Sequence, residues 1–149
     1  MPFIFDPYFF LATLSLAVQL IVLFLLLYGY SLKRHQNFPA HARTMTTALI
    51  LHLSMIFAFM IPTFILAIVP VFIFRNITSL VSVISIVHVP LGVTAVSLGL
   101  LRVLSWRQKG LNGCFGKART MAAIMTIWIA ALGFGIAFYV ILYWQTLMG

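Results

Sequence analysis

The 149-residue chain carries nine Lys and Arg against one acidic residue, and is 64% hydrophobic but only 7% charged, with a mean hydropathy of +1.17. A water-soluble domain has about a quarter of its residues charged. Too few polar groups are present to cover a surface in water, which excludes a cytosolic enzyme, a nucleic-acid module and a disordered tail. The net charge of +8 does not imply nucleic acid, because the basic residues punctuate long apolar runs instead of ranging over a polar face.

Crossing about 30 Å of hydrocarbon takes about 20 apolar residues, and four segments qualify: residues 9–32, 44–68, 79–104 and 120–146. The expected fold is therefore an all-α integral membrane protein, a single four-transmembrane-helix bundle with no soluble domain. Before the first span, Asp6-Pro7 leads into Tyr8, Phe9 and Phe10, an aromatic anchor at the membrane surface. No basic region precedes that span and no cleavage site follows it, so it reads as a retained helix and not a signal peptide. Lys33, Arg34, His35 and Arg43 lie in the first loop, where Pro39 reads as the breaker. The apolar stretch from Thr44 to Phe74 is too long for one straight span; Pro62 predicts a kink, and Pro70 an exit into an interfacial segment. Asn76-Ile77-Thr78 matches a glycosylation sequon, but lies in a tight loop against the membrane. Arg102, Arg107, Lys109, Lys117 and Arg119 surround the third loop, whose Gln108-Lys109-Gly110-Leu111-Asn112-Gly113 reads as a turn. Eight cations thus lie on one side, against Arg75 and Asp6 on the other. The positive-inside rule makes both basic loops cytoplasmic and both termini external, as in a multi-pass plasma-membrane protein.

One cysteine, Cys114, excludes an internal disulfide and CxxC-type metal sites. A lone carboxylate excludes acid–base chemistry by paired carboxylates, so the expectation is not an enzyme. The informative residues are polar groups inside the spans. In the third helix, His88, Gly92, Ala95, Gly99 and Arg102 share one face. That face suits close helix packing with an interhelical hydrogen bond, or a slot for a flat cofactor beside a ligating imidazole; Pro90 nearby frees a carbonyl. In the second helix, His41, Met45, Ala48, His52 and Met55 recur on one stripe. Imidazole with thioether suits Cu(I), and His/Met pairs also serve haem iron, whereas Met is also ordinary apolar filler. His52 and His88 are expected within about 5 Å of the same depth, close enough to share an ion or a haem if their helices are neighbours. His41 lies about 16 Å from the His52 level, at the cytoplasmic mouth near Cys114 and Lys117, just before the second helix begins. Gln19 and Ser15 share a face suited to interhelical hydrogen bonding, and Ala131/Gly135 with Gly133/Ala137 suit tight packing of the fourth helix. Trp106, Trp128, Tyr139, Tyr143 and Trp144 read as rim or packing aromatics, with the last two in the outer belt.

The segment His41-Ala-Arg-Thr-Met45, the mid-span His88-Val-Pro-Leu-Gly92, and Trp128 followed by Gly135 and Tyr139 resemble the CtaM/YozB-like family of four-helix membrane proteins. The likeness runs from about Arg34 to Trp144. It implies a role in maturing haem–copper terminal oxidases, by delivering or positioning copper or haem b, with His41, Met45 and His88 as the family's positions. The family pattern also has a histidine eleven residues before the tryptophan, where this chain has Lys117; an ammonium cannot bind metal unless deprotonated. His52 lies outside that pattern.

Three functions follow as expectations. The first is assembly or metallocofactor handling for a respiratory oxidase, with His41, Met45, His52 and His88 as metal ligands and a larger membrane complex as partner. The second is a small b-type cytochrome with His52 and His88 as haem ligands. The third is an accessory subunit whose histidines only pack.

Overall fold

The computed structural model describes residues 7–109 and 118–148, and they are helical almost throughout, with no strand among them. The first helix is Pro7–Arg34, the second Phe38–Met55 with a continuation to Ile73, the third Leu80–Lys109 and the fourth Ala118–Met148. All four are long and apolar enough to cross a membrane.

The joint between the first two helices is tighter than Pro39 suggests. His35 N–H still donates to Ser31 O at 3.1 Å, and Asn37 N–H to Leu32 O at 3.0 Å, around Gln36 at φ 59°. Asn37 Oδ1 then accepts from Ala40 N–H at 3.3 Å and caps the second helix. Pro39 sits in that helix's first turn, where a missing N–H costs nothing and a fixed φ helps. It starts the helix instead of breaking the chain. The second helix therefore begins at Phe38, six residues before the apolar run, and His41 lies inside it and not ahead of it.

Around Pro62 and Pro70 the second helix widens into π-helical turns, Ile56–Met60 and Phe64–Ile73, separated by Ile61–Thr63. Each proline removes one N–H from the regular ladder, and the chain takes up longer-range bonds such as Phe74 N–H to Val69 O at 3.0 Å. Helical turns continue three residues past Pro70, which is not the exit. The turn at Asn76 then holds itself: Asn76 Oδ1 accepts from Thr78 Oγ1 at 2.8 Å and Thr78 N–H at 3.2 Å. Ser79 Oγ accepts from Ser82 N–H at 3.2 Å at the start of the third helix. That helix runs on through Gln108 and Lys109, so the expected turn begins later. Its remaining residues, with Cys114 and Lys117, lie outside the described residues.

The first helix packs against the second and fourth, and the third against the same two, so the four make a square with sequential neighbours adjacent. At its centre Val22 and Leu26, Ala48 and Leu49, Ala95, and Ile124, Trp128 and Leu132 form the core. Large apolar side chains such as Phe24, Phe57 and Leu66 face outward, while Gln19, His41, His52, Ser82 and Ser85 are buried. Apolar side chains thus cover the outside as well as the core, unlike the surface of a soluble bundle.

Candidate functional site

The four sequence-designated ligands separate into two groups. His41 and Met45, one turn apart on the second helix, line a cavity of about 80 Å³ at the end of the bundle where the basic residues cluster. His52 and His88 lie deeper and do not border that cavity.

His41 is buried. Its Nδ1–H donates to the backbone carbonyl of Gly29 in the first helix at 2.7 Å. A carbonyl only accepts, so this bond places the proton on Nδ1 and leaves Nε2 with a free lone pair. Metal-binding histidines are oriented in this way by a carbonyl or carboxylate on the other nitrogen. Gly29 serves twice. A Cβ there would fall 2.9 Å from Met45 Sδ, so only glycine lets the thioether lie directly on the first helix beside the carbonyl that holds His41.

The other cavity walls come from all the remaining helices. Lys33 and Tyr30 extend from the first helix, Gly99, Arg102 and Trp106 from the third, and Met121, Met125 and Trp128 from the fourth. The two methionines are one turn apart, the spacing of His41 and Met45. Sequence reading overlooked them; their i, i+4 repeat on one face was the available signal.

His52 packs its ring on Trp128, centroids 5.6 Å apart at 56°. His88 reaches the fourth helix from the third, donating Nδ1–H to Ala131 O at 2.9 Å. Trp128 and Ala131 are three residues apart, about 4.5 Å along the helix, which agrees with the depth difference expected from sequence. Both imidazoles thus approach one wall, the fourth helix. His52 Nδ1 and Trp128 Nε1 are buried without a hydrogen-bond partner among the described residues, as are Gln19 Oε1 and Trp106 Nε1.

The small-residue faces resolve into packing at most positions. A Cβ at Gly99 would meet Trp128 Cζ3 at 3.1 Å and Leu49 Cδ1 at 3.5 Å, and Ala95 is buried in the core. Indole thus fills the face at Gly99, whereas at Gly92, one turn from His88, a Cβ would meet nothing within 4 Å. At Gly135 a Cβ would fall 2.8 Å from Gln19 Oε1 and 3.1 Å from His88 Cε1, whereas at Gly133 it would again meet nothing within 4 Å. Of the small residues in the fourth helix, Ala131 and Gly135 lie in a contact, whereas Gly133 does not. Gln19 bonds within its own helix, Nε2–H to Ser15 Oγ at 3.2 Å, instead of across helices as expected. The real interhelical bond at that end joins Thr13 and Tyr139 at 2.8 Å. Thr13 Oγ1 already donates to Phe9 O at 2.8 Å, so Tyr139 O–H is the donor. Tyr139 and Tyr143 (5.1 Å) and Phe9 and Tyr143 (5.2 Å) complete an aromatic group there. Tyr139 is buried; the side chain of Trp144 lies outside the described residues.

His41 with Met45 therefore offers one imidazole nitrogen and one thioether to a small cavity, a donor pair that suits a soft metal ion. No group of three or more His, Cys, Asp or Glu converges among the described residues. No protein-family model, curated protein or solved structure matches the chain.

Proposed function

We propose that this is a multi-pass protein of the plasma membrane, both basic loops cytoplasmic and both termini external, that handles copper during maturation of a haem–copper respiratory oxidase. Four helices long and apolar enough to span, an apolar exterior around buried polar groups, and the one-sided charge support the placement. The resemblance to the CtaM/YozB-like family supplies the oxidase as partner. The carrying observation is His41: its Nδ1 is tied to Gly29 O while its ring borders a cavity shared with Met45. Copper is the cargo, and the residues present fit it, because a neutral imidazole nitrogen and a thioether are ligands of Cu(I).

Haem b fits less well. Pockets for molecules of that size measure about 300–1,000 Å³, against about 80 Å³ at His41, and at His52 one side of the ring is taken by Trp128. His52 and His88 offer further nitrogen donors deeper in the bundle. His88 at least also performs the packing role, through its bond to Ala131.

The test is metal analysis with an absorption spectrum on protein from native membranes, alongside oxidase assembly in cells lacking the gene. Colourless protein carrying copper, together with cells deficient in assembled oxidase, supports the proposal. A Soret band lost in His52→Ala replaces it with the cytochrome reading. Colourless, metal-free protein and normal oxidase leave the accessory-subunit reading.

A further inference from the structure

We propose that the cavity at the basic end of the bundle binds a phosphate group, held between Lys33 of the first helix and Arg102 and Trp106 of the third. The inference goes beyond the copper-handling reading and does not depend on it. All three side chains line the cavity.

The charges around this space do not balance. Lys33 and Arg102 are both half-buried, and the described residues include no carboxylate. The one acidic residue of the chain, Asp6, precedes the first helix, whose last turn carries Lys33. Residues 110–117, which join the third helix to the fourth, add Lys117 and no acid. Two cations beside one partly desolvated space repel each other and lose hydration, so an anion between them offsets both penalties. A second observation asks for an acceptor in the same wall. Trp106 Nε1 is buried without a hydrogen-bond partner among the described residues, and an indole N–H can only donate.

Helix contacts set the depths of the three groups. A Cβ at Gly29 would lie 2.9 Å from Met45 Sδ, and one at Gly99 3.5 Å from Leu49 Cδ1, which ties the first and third helices to the second. Counting rises from these contacts puts Lys33 about 6 Å, and Trp106 about 4.5 Å, nearer the basic end than Met45. Arg102 starts about one turn deeper than Trp106, and its long side chain can extend toward the same level. The first and third helices stand diagonally in the bundle, so the two cations flank the cavity from opposite sides.

Size and position select the anion. A space of about 80 Å³, against about 30 Å³ per water in the liquid, holds a group of a few heavy atoms and no nucleotide. Lys33 and Trp106 lie at the ends of their spans, the level of lipid headgroups. Tyr30 and Ala122, on the adjacent first and fourth helices, border the cavity and are exposed, so it reaches the outer face of the bundle. Basic pockets between membrane helices take the phosphates of anionic lipids, and a free phosphate offers the same oxygens to the same donors. The bound anion also offsets the repulsion that Lys33 and Arg102 exert on a metal ion at His41.

The experiment uses the full chain purified in detergent. Native mass spectrometry counts bound phosphatidylglycerol or phosphatidylcholine, and equilibrium dialysis measures inorganic phosphate. Lys33→Gln/Arg102→Gln is compared with Arg34→Gln/Arg43→Gln, an equal loss of charge at two exposed positions outside the cavity. Trp106→Phe removes the N–H and keeps an aromatic ring, and thermal unfolding in the same detergent is the folding control. The expected result is one phosphatidylglycerol per chain, at least about tenfold tighter than phosphatidylcholine, whose own cation meets Lys33 and Arg102. Affinity is expected to fall about 100-fold in the Lys33/Arg102 double variant and about fivefold in Trp106→Phe, and to hold in the Arg34/Arg43 variant. Inorganic phosphate bound one per chain with the same variant pattern, in place of the lipid, supports the site and assigns it to a free anion. Equal losses in the two double variants mean diffuse charge attraction and overturn the site. Binding of neither probe by the wild type also overturns it. If the Lys33/Arg102 variant does not fold, Trp106→Phe decides, and its retention of full affinity counts against the proposal.

Discussion

At the residue scale, Gly29 links the first helix to the candidate site through two contacts that need no side chain of its own. Gly29→Ala places a methyl 2.9 Å from Met45 Sδ, and because a thioether sits at the end of a flexible chain, the sulfur moves and the fold persists. The expected outcome is an unchanged unfolding temperature with Cu(I) affinity reduced about tenfold, as for loss of a supporting contact at a metal site; chelator competition reads it. Gly135→Ala is the contrasting case. Its methyl meets Gln19 Oε1 at 2.8 Å and His88 Cε1 at 3.1 Å, so the amide must swing aside and the imidazole must shift by a few tenths of an ångström against its bond to Ala131. Overpacking of this kind costs about 1–3 kcal/mol, measurable as a lower unfolding midpoint with Cu(I) affinity unaffected. His41 and Met45 were legible in the sequence because imidazole is rare in an apolar run. Met121 and Met125, in the wall of the same cavity, carried no signal beyond their i, i+4 spacing, since methionine is ordinary filler there.

At the element scale, the fourth helix organises the interior. Trp128 is among the largest fully buried side chains; it packs on His52 and on Gly99 of the third helix. In a soluble core, Trp→Ala costs about 3–5 kcal/mol. Within lipid the transfer part of that cost is absent, because the separated helices are already in an apolar solvent. Trp128→Ala is therefore expected to cost about 2 kcal/mol, and steric-trapping unfolding in bicelles checks it; a loss as large as in soluble cores contradicts this lipid-solvent view. The spans themselves were readable from hydropathy, but their ends were not. Pro39 opened a helix because Asn37 accepted the Ala40 N–H ahead of it, and Pro70 stayed within helical turns because π-type bonding absorbed its missing donor. A proline's position in a sequence does not state which neighbour takes over the freed group. The depth match of His52 and His88 was legible because it needs only the rise per residue, whereas their shared wall required knowing which helices are neighbours.

At the scale of the whole molecule, the proposed orientation rests on cation placement. The sole cysteine, Cys114, lies in the sequence between Lys109 and Lys117, in a loop assigned to the cytoplasm. A membrane-impermeant maleimide is expected to label it only after intact cells are permeabilised; labelling in intact cells reverses the topology. On the proposed orientation the cavity lies at the cytoplasmic end, since His41, Lys33 and Arg102 all belong to the basic end, and His52 and His88 lie beyond it. The most direct measurement is the copper content of the chain purified from native membranes, compared with His41→Ala and with His35→Ala in the exposed first loop. The account predicts one copper per chain in the wild type and in His35→Ala, and none in His41→Ala. Copper-free wild-type protein, or equal copper in all three, contradicts it.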